Sequence, residues 1–331
     1  MNFRHFLPVA ISLAVLFCLN LLMISSLSPG LLVKQLIAWI IGIALFFIGR
    51  QIDPNTIKSS RTLIFIGSCF LVLLPILLNT ITRGSRRWID LGIGTFQPSE
   101  IIKPWLLLFL VNTKHPWLII VPVIITLIQP DLGSALTILC LIIPFIIYNR
   151  QLLKFALISI FCLLILSPLI WKFVLHDYQR HRVETFINPG LDPMGNGYNV
   201  IQSKIAIGSG GFFGKGYKKG TQGQLLFLPE KHTDFIFAGI TEELGIVGAL
   251  LIIGSYFTII KTLIAKAYQT TNRPLFLFTL AIAFQIWIQS MVNISMNLGL
   301  FPVTGIPLPF LSVGGSSIIA LLFSLGIIYS S

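Results

Sequence analysis

The stretch LPVAISLAVLFCLNLLMISS, residues 7–26, contains no charged side chain. A helix needs about 20 apolar residues to cross the hydrocarbon core of a bilayer, so this run reads as a membrane span. Nine further apolar runs follow, at 31–49, 62–79, 97–111, 116–128, 132–148, 153–171, 239–262, 274–297 and 311–329. The three between 97 and 148 come from one stretch cut by Asn112–Pro116 and by Gln129-Pro130-Asp131. Interrupted helices at membrane depth persist where they pack on protein or line a cavity. The expected fold is therefore an all-α polytopic membrane protein of about ten transmembrane helices. A long polar loop, 172–238, separates the seventh from the eighth, and residues 1–331 form a single integral membrane domain.

Composition agrees. Hydrophobic residues make up 55% of the chain and charged ones 10%, with a mean hydropathy of +0.89. A water-soluble domain carries about 25% charged residues, which excludes that class. The net charge of +12 is spread between apolar runs. That pattern suits an anionic lipid surface or an anionic lipid-linked substrate rather than nucleic acid. Cys18, Cys69, Cys140 and Cys162 all lie inside apolar runs and read as small core hydrophobes. Arg4 followed by the first apolar run resembles a signal sequence, but no small-residue cleavage pattern follows, so the run is expected to stay as a span.

Short loops with Lys and Arg mark the cytoplasmic side. With an inner N-terminus, that side collects Arg4, Arg50, Lys58, Arg61, Lys114, Arg150, Lys154, Lys261, Lys266 and Arg273. Both termini are then cytoplasmic, in a bacterial plasma (inner) membrane. Arg83, Arg86 and Arg87 depart from the pattern, in an outer loop. All carboxylates except Asp53 fall on the outer side or its membrane edge. The chemistry is expected there, between Trp171 and Ala238.

Five segments carry polar groups where a span alone needs none. Arg86-Arg87-Trp88-Ile89-Asp90-Leu91-Gly92 leads to Gln97-Pro98-Ser99-Glu100-Ile101-Ile102-Lys103, which places Glu100 and Lys103 on one helical face. A charge near the bilayer interior costs about 2.5–3.5 kcal/mol, so such a pair serves function unless it is purely structural. Asp131 in Gln129-Pro130-Asp131-Leu132-Gly133-Ser134 reads as a helix cap or as a catalytic group. Gly208–Gly216 is not a phosphate-binding P-loop, because Ser209 replaces its first glycine and Gly216 follows Lys215. It reads as a turn region whose N–H groups can line an anion pocket. Glu230, His232 and Asp234 cluster before an apolar run, as a general base beside an apolar wall requires. Helix-start capping, headgroup contacts or a weak metal-ligand pair are the alternatives. Gly305–Ser317 either lets helices approach closely or binds phosphate at a helix start.

In fixed order these motifs resemble the SEDS family (shape, elongation, division and sporulation), and within it the RodA branch. The resemblance runs from the first span to the last. It rests on Arg87-Trp88, Gln97-Pro98-Ser99-Glu100, Gln129-Pro130-Asp131-Leu132-Gly133, Asn188-Pro189, Gly197-Tyr198-Asn199, the run Gln202–Gly208, Gly220-Thr221-Gln222, Pro229-Glu230, His232-Thr233-Asp234-Phe235 and Pro307-Leu308-Pro309-Phe310. Val313 departs from it, standing where the family's Ser-Tyr-Gly-Gly has tyrosine.

The resemblance implies a peptidoglycan glycosyltransferase that polymerises lipid II into β-1,4 glycan strands during cell elongation, beside a class B penicillin-binding protein, the transpeptidase. It implies Asp234 as the essential loop aspartate, and Arg87, Trp88, Glu100 and Lys103 as residues lining the substrate cavity. The chemistry then makes Asp234 the base for the acceptor 4-OH and undecaprenyl pyrophosphate the leaving group. Lys204 joins Arg87 and Lys103 as a candidate for the anion, while Glu230, His232 and Thr233 flank the base. A divalent cation, Mg or Mn, has room on the pyrophosphate, though the sequence shows no dedicated cage. The rival readings are a lipid II flippase and a non-catalytic elongation scaffold.

Overall fold

The computed structural model describes residues 3–79, 87–90, 95–173, 177–188, 190, 192 and 195–330. Arg83, Arg86, Leu91, Gly92 and Pro189, all used in the reading above, lie outside the described residues. The helices are α1 (Phe3–Leu27), α2 (Leu32–Gly49), α3 (Arg61–Leu77), α4 (Pro98–Asn112), α5 (Ile120–Ile128), α6 (Leu132–Cys140), α7 (Ile143–Tyr148), α8 (Arg150–Phe173), α9 (Asp177–Ile187), α10 (Asn196–Gly210), α11 (Thr221–Gln224), α12 (Ile236–Gln269), α13 (Arg273–Asn297) and α14 (Gly315–Ile328). Strands β1 (Ile89–Asp90) and β2 (Thr95–Phe96) pair antiparallel, Ile89 opposite Phe96. Helices dominate because lipid offers no partner to a backbone N–H or C=O, and only a helix satisfies both internally.

Among the described residues five helices are long and apolar enough to cross a membrane: those at Phe6–Leu27, Pro29–Gly49, Arg150–Leu169, Ile236–Gln269 and Arg273–Asn297. The apolar runs at 116–128, 132–148 and 311–329 are helical over shorter lengths than the sequence suggests. The first opens with a 3₁₀ turn at Pro116–Ile119, the second breaks between α6 and α7, and the third is non-helical up to Gly314. Burial separates the spans. Windows of α12 and α13 are 61% and 56% buried, whereas that of α8 is 0% buried. A helix apolar on every side that packs against little else is solvated by lipid.

The long loop is itself structured, since it contains α9, α10 and α11 and ends on α12. Its glycine-rich segment has a different task from the anion pocket considered above. Helix α12 is broken at Gly245, whose φ is +67° and ψ −159°. The segment after α10 inserts at the break. Lys215 N–H donates to the Glu242 carbonyl at 2.9 Å and Gly216 N–H to the Glu243 carbonyl at 3.0 Å. In return the Gly211 and Phe212 carbonyls accept from Ile246 and Val247 N–H at 3.0 and 3.3 Å. Two carbonyls and two amides beside the break are thus paired, as burial demands. Those N–H groups are committed to α12 and hold no anion.

Candidate active site

Asp234 stands two residues ahead of α12, on a turn that closes when Thr233 and Phe235 N–H donate to the Glu230 carbonyl at 3.1 and 3.2 Å. Glu230 has φ +49°, a left-handed conformation that a side-chain-bearing residue keeps only where its surroundings enforce it. The Thr233 hydroxyl supplies part of that force by donating to Glu230 Oε2 at 2.9 Å. Two asparagines one turn apart on α13 supply more. Asn293 and Asn297 each donate an amide N–H to the Asp234 carbonyl, at 3.1 and 3.0 Å. Asn293 also donates to the Ile306 carbonyl at 2.9 Å, and Asn297 Oδ1 accepts from Ala238 N–H at 3.2 Å.

The opposite side is closed by the 304–313 segment. The Ser312 hydroxyl donates to the Thr233 carbonyl at 2.6 Å, and Val313 N–H donates to the His232 carbonyl at 2.8 Å. That second bond comes from the main chain, so valine in place of tyrosine at 313 leaves it intact. A Cβ added to Gly305 would lie 3.8 Å from Asp234 Oδ2, which puts the carboxylate against a bare stretch of backbone. The N-cap of α12 is Phe235, without a side-chain cap bond. Asp234 is therefore not the helix cap.

Across the 304–306 segment lies a second cluster. Gly133, at the start of α6, packs so closely on it that a Cβ would stand 2.6 Å from the Thr304 carbonyl oxygen. Asp131 caps α6 by accepting from Ser134 N–H at 3.1 Å and its hydroxyl at 2.7 Å. It also accepts from Gln97 Nε2 at 3.1 Å and pairs with Arg87 Nη1 at 3.3 Å. The cap reading is correct, and the same carboxylate orients the arginine. One turn into α4, Glu100 and Lys103 form an ion pair in which both side chains are buried. Arg87 Nε and Glu100 Oε2 are buried and have no hydrogen-bond partner among the described residues. Native interiors rarely leave such atoms bare, and here they supply one donor and one acceptor to whatever enters.

Lys204 follows Ser203, whose hydroxyl donates to the Asn297 carbonyl at 2.8 Å. The lysine is exposed on α10, with its chain laid against Gly299, beside a small cleft lined by Arg182, Phe186, Val200 and Phe301. Trp88 is half-buried at the start of β1, next to Arg87. His232 and Thr233 contribute their carbonyls to the clamp on the Asp234 turn.

Sequence reasoning passed over the residues that build this frame. Gln285, Gln289, Asn293 and Asn297 recur at i, i+4 along one face of α13 and are all buried. Both amide atoms of Gln289 are buried and without a partner among the described residues. Four amides in register on an apolar span were a readable signal. Lys231 was also missed. It is buried, donates to the Gly223 carbonyl, and burial lowers its pKa against the opposing pull of Glu243.

Fold and site together define an integral membrane protein with a carboxylate turn, a buried Glu100–Lys103 ion pair and a half-buried Arg87–Asp131 pair. The profile of the FtsW/RodA/SpoVE cell cycle proteins matches residues 3–331. The peptidoglycan glycosyltransferase MrdB of Escherichia coli (strain K12) is 36% identical over 98% of this chain and 91% of its own. A solved chain from a peptidoglycan synthase complex that coordinates polymerization and crosslinking is 31% identical, with a TM-score of 0.83 over 97% of this chain and 95% of that one. The rod shape determining protein RodA of Thermus thermophilus is 27% identical, with a TM-score of 0.69 over 99% and 95%. The chain belongs to the FtsW/RodA/SpoVE family, the SEDS proteins.

Proposed function

We propose that this chain is a peptidoglycan glycosyltransferase that polymerises lipid II during cell elongation, working beside a class B penicillin-binding protein. The observation that carries the reading is the Asp234 turn, held through its main chain by Asn293, Asn297 and Ser312 while its carboxylate lies beside Gly305. Inverting transfer needs a base for the acceptor 4-OH and donors for the departing pyrophosphate. Asp234 takes the proton as the acceptor oxygen bonds to the donor sugar's anomeric carbon. The bond from that carbon to undecaprenyl pyrophosphate breaks, and the electron pair leaves with the phosphate. Arg87 presents its unpaired Nε to the anion, and Lys103 presents a charge already balanced by Glu100. Preorganised donors of this kind stabilise developing charge without reorganising during the reaction.

Among the described residues no three His, Cys, Asp or Glu side chains gather as ligands for one ion. Mg or Mn would then come with the pyrophosphate, since Mg is commonly held by one or two carboxylates plus substrate phosphates. The test of function is purified protein given labelled lipid II in detergent, with and without a cognate transpeptidase. Glycan strands are expected, longer or more abundant with the partner. Movement of lipid II between leaflets without polymer would favour a flippase, and neither activity would favour a scaffold.

The polymerisation reading requires the Asp234 turn to face the outer side of a bacterial inner membrane, with both termini cytoplasmic. The basic short loops support this orientation. A periplasm-active reporter fused after Ser331 should be silent, and one inserted at Asn196 should be active. The reverse pattern would remove the turn from the side where wall is built.

A further inference from the structure

Glu242 is fully buried within the apolar helix α12, where an unneeded carboxylate is expensive. Its carboxylate accepts four hydrogen bonds. Its Oε1 accepts from Lys215 Nζ at 2.8 Å, the Thr221 hydroxyl at 3.1 Å and Gln222 N–H at 2.9 Å. Its Oε2 accepts from Gly223 N–H at 3.1 Å. Gly220 closes over it so tightly that a Cβ there would stand 2.8 Å from Oε2. The turn 220–224 is wrapped around this one carboxylate.

That turn in turn holds the segment carrying Asp234. The Gln222 carbonyl accepts from Leu228 N–H at 3.0 Å, and the Gly223 carbonyl accepts from Lys231 Nζ. Leu228 is buried against Phe235 and Ala238, on either side of the start of α12. Asp234 therefore lies on a closed circuit. One arm is covalent, from Asp234 through the first turns of α12 to Glu242; the other returns through Gly223 and Lys231. Glu243 braces the same circuit to α1 by accepting from the Ser26 hydroxyl at 2.6 Å and Gln224 Nε2 at 3.1 Å.

We infer that Glu242 is a positioning residue for Asp234, fixing from behind the distance between the carboxylate and the acceptor hydroxyl. The inference rests on Asp234 being the base. Glu242→Gln keeps the shape but turns an N–H₂ toward donors that need an acceptor, and releases the Lys215 charge. A displacement of about 1 Å at a reacting group costs up to about 10²-fold in rate. The variant should therefore lose about 10- to 100-fold in kcat on labelled lipid II, with KM within about twofold of wild type. Amide exchange over residues 228–235 should quicken in detergent, while that of residues 246–269 stays unchanged.

Lys231→Met cuts the same circuit at a second point while leaving the Glu242 carboxylate and its four donors in place, and should show the same kcat loss and the same local exchange. It serves as the test if Glu242→Gln does not fold. Wild-type kcat in either folded variant, or activity lost only in proportion to folded protein, would overturn the assignment. Unchanged exchange over 228–235 would do so as well. A fully active Asp234→Asn enzyme would instead remove the base, while leaving the exchange result standing.

Discussion

Asp234→Asn should reduce glycan polymerisation by about 10²–10⁴-fold, the usual contribution of a general base, with the protein still folded and still binding lipid II. The substitution preserves size and one carbonyl acceptor, and removes the negative charge and with it the ability to take a proton. The structure says why folding survives. Ser312, Val313, Asn293 and Asn297 hold the turn by the carbonyls of residues 232, 233 and 234, and the turn itself closes on the Glu230 carbonyl. Asn293 and Asn297 grip the Asp234 carbonyl, which asparagine retains. Capping gives the opposite forecast, since asparagine caps helices about as well as aspartate. Phe235 holds the cap position, so that route to survival is closed. Glu230→Gln is the comparison on the same turn. Its Oε2 accepts from Thr233, a bond that a glutamine carbonyl can also accept, and its effect should be the milder. Robust polymer from Asp234→Asn in detergent would remove the aspartate from the reaction. A severe Glu230→Gln beside it would move the base four residues upstream.

The spans were legible because they depend on local composition. Runs such as 7–26 and 274–297 must be helical in lipid whatever they pack against. The charged pair at 100 and 103 was legible for the same reason, since i, i+3 spacing on a helix fixes the neighbours. Pairings across the chain were not. Asp131 meets Arg87, Lys215 meets Glu242, and Asn297 reaches Asp234, with no local pattern to announce any of them. The break in α12 was hidden for a different reason. Hydropathy averages over the helix, and one glycine among apolar neighbours does not disturb the average. The glycine-rich segment read as a free turn because its partner, the break at Gly245, was itself unseen. Glu242 and Glu243 were noticed as acids at a membrane edge, yet their role needs the loop that folds back over them. Family resemblance singled out Gly220-Thr221-Gln222 without a reason. The reason is that Thr221 and Gln222 donate to a buried carboxylate.

Gly245→Ala should prevent accumulation of folded protein, or lower its melting temperature far more than any other glycine substitution in the same helix. Its φ of +67° with ψ of −159° falls in a region that is essentially glycine-only. A Cβ there would also sit 2.4 Å from both Gly214 N and the Phe212 carbonyl oxygen. Those atoms are backbone and cannot rotate away. To make room, the 211–216 segment must leave the break in α12. Its departure strips partners from the Glu242 and Glu243 carbonyls and from the Ile246 and Val247 amides. A buried polar group left unpaired costs about 1–3 kcal/mol, so the four together rival the ~5–15 kcal/mol that keeps a typical domain folded. Gly254→Ala is the control, on the same helix with nothing within 4 Å of its added Cβ. It should be neutral or stabilise by about 0.5–1 kcal/mol, because glycine weakens a helix interior. The measurement is size-exclusion profiles of detergent-solubilised protein after stepwise heating. If Gly245→Ala melted with wild type and Gly254→Ala, the inserted segment would not be what holds α12 together at its break. The coupling of that segment to Lys215, and through Glu242 to the Asp234 turn, would then have to be carried by side chains alone.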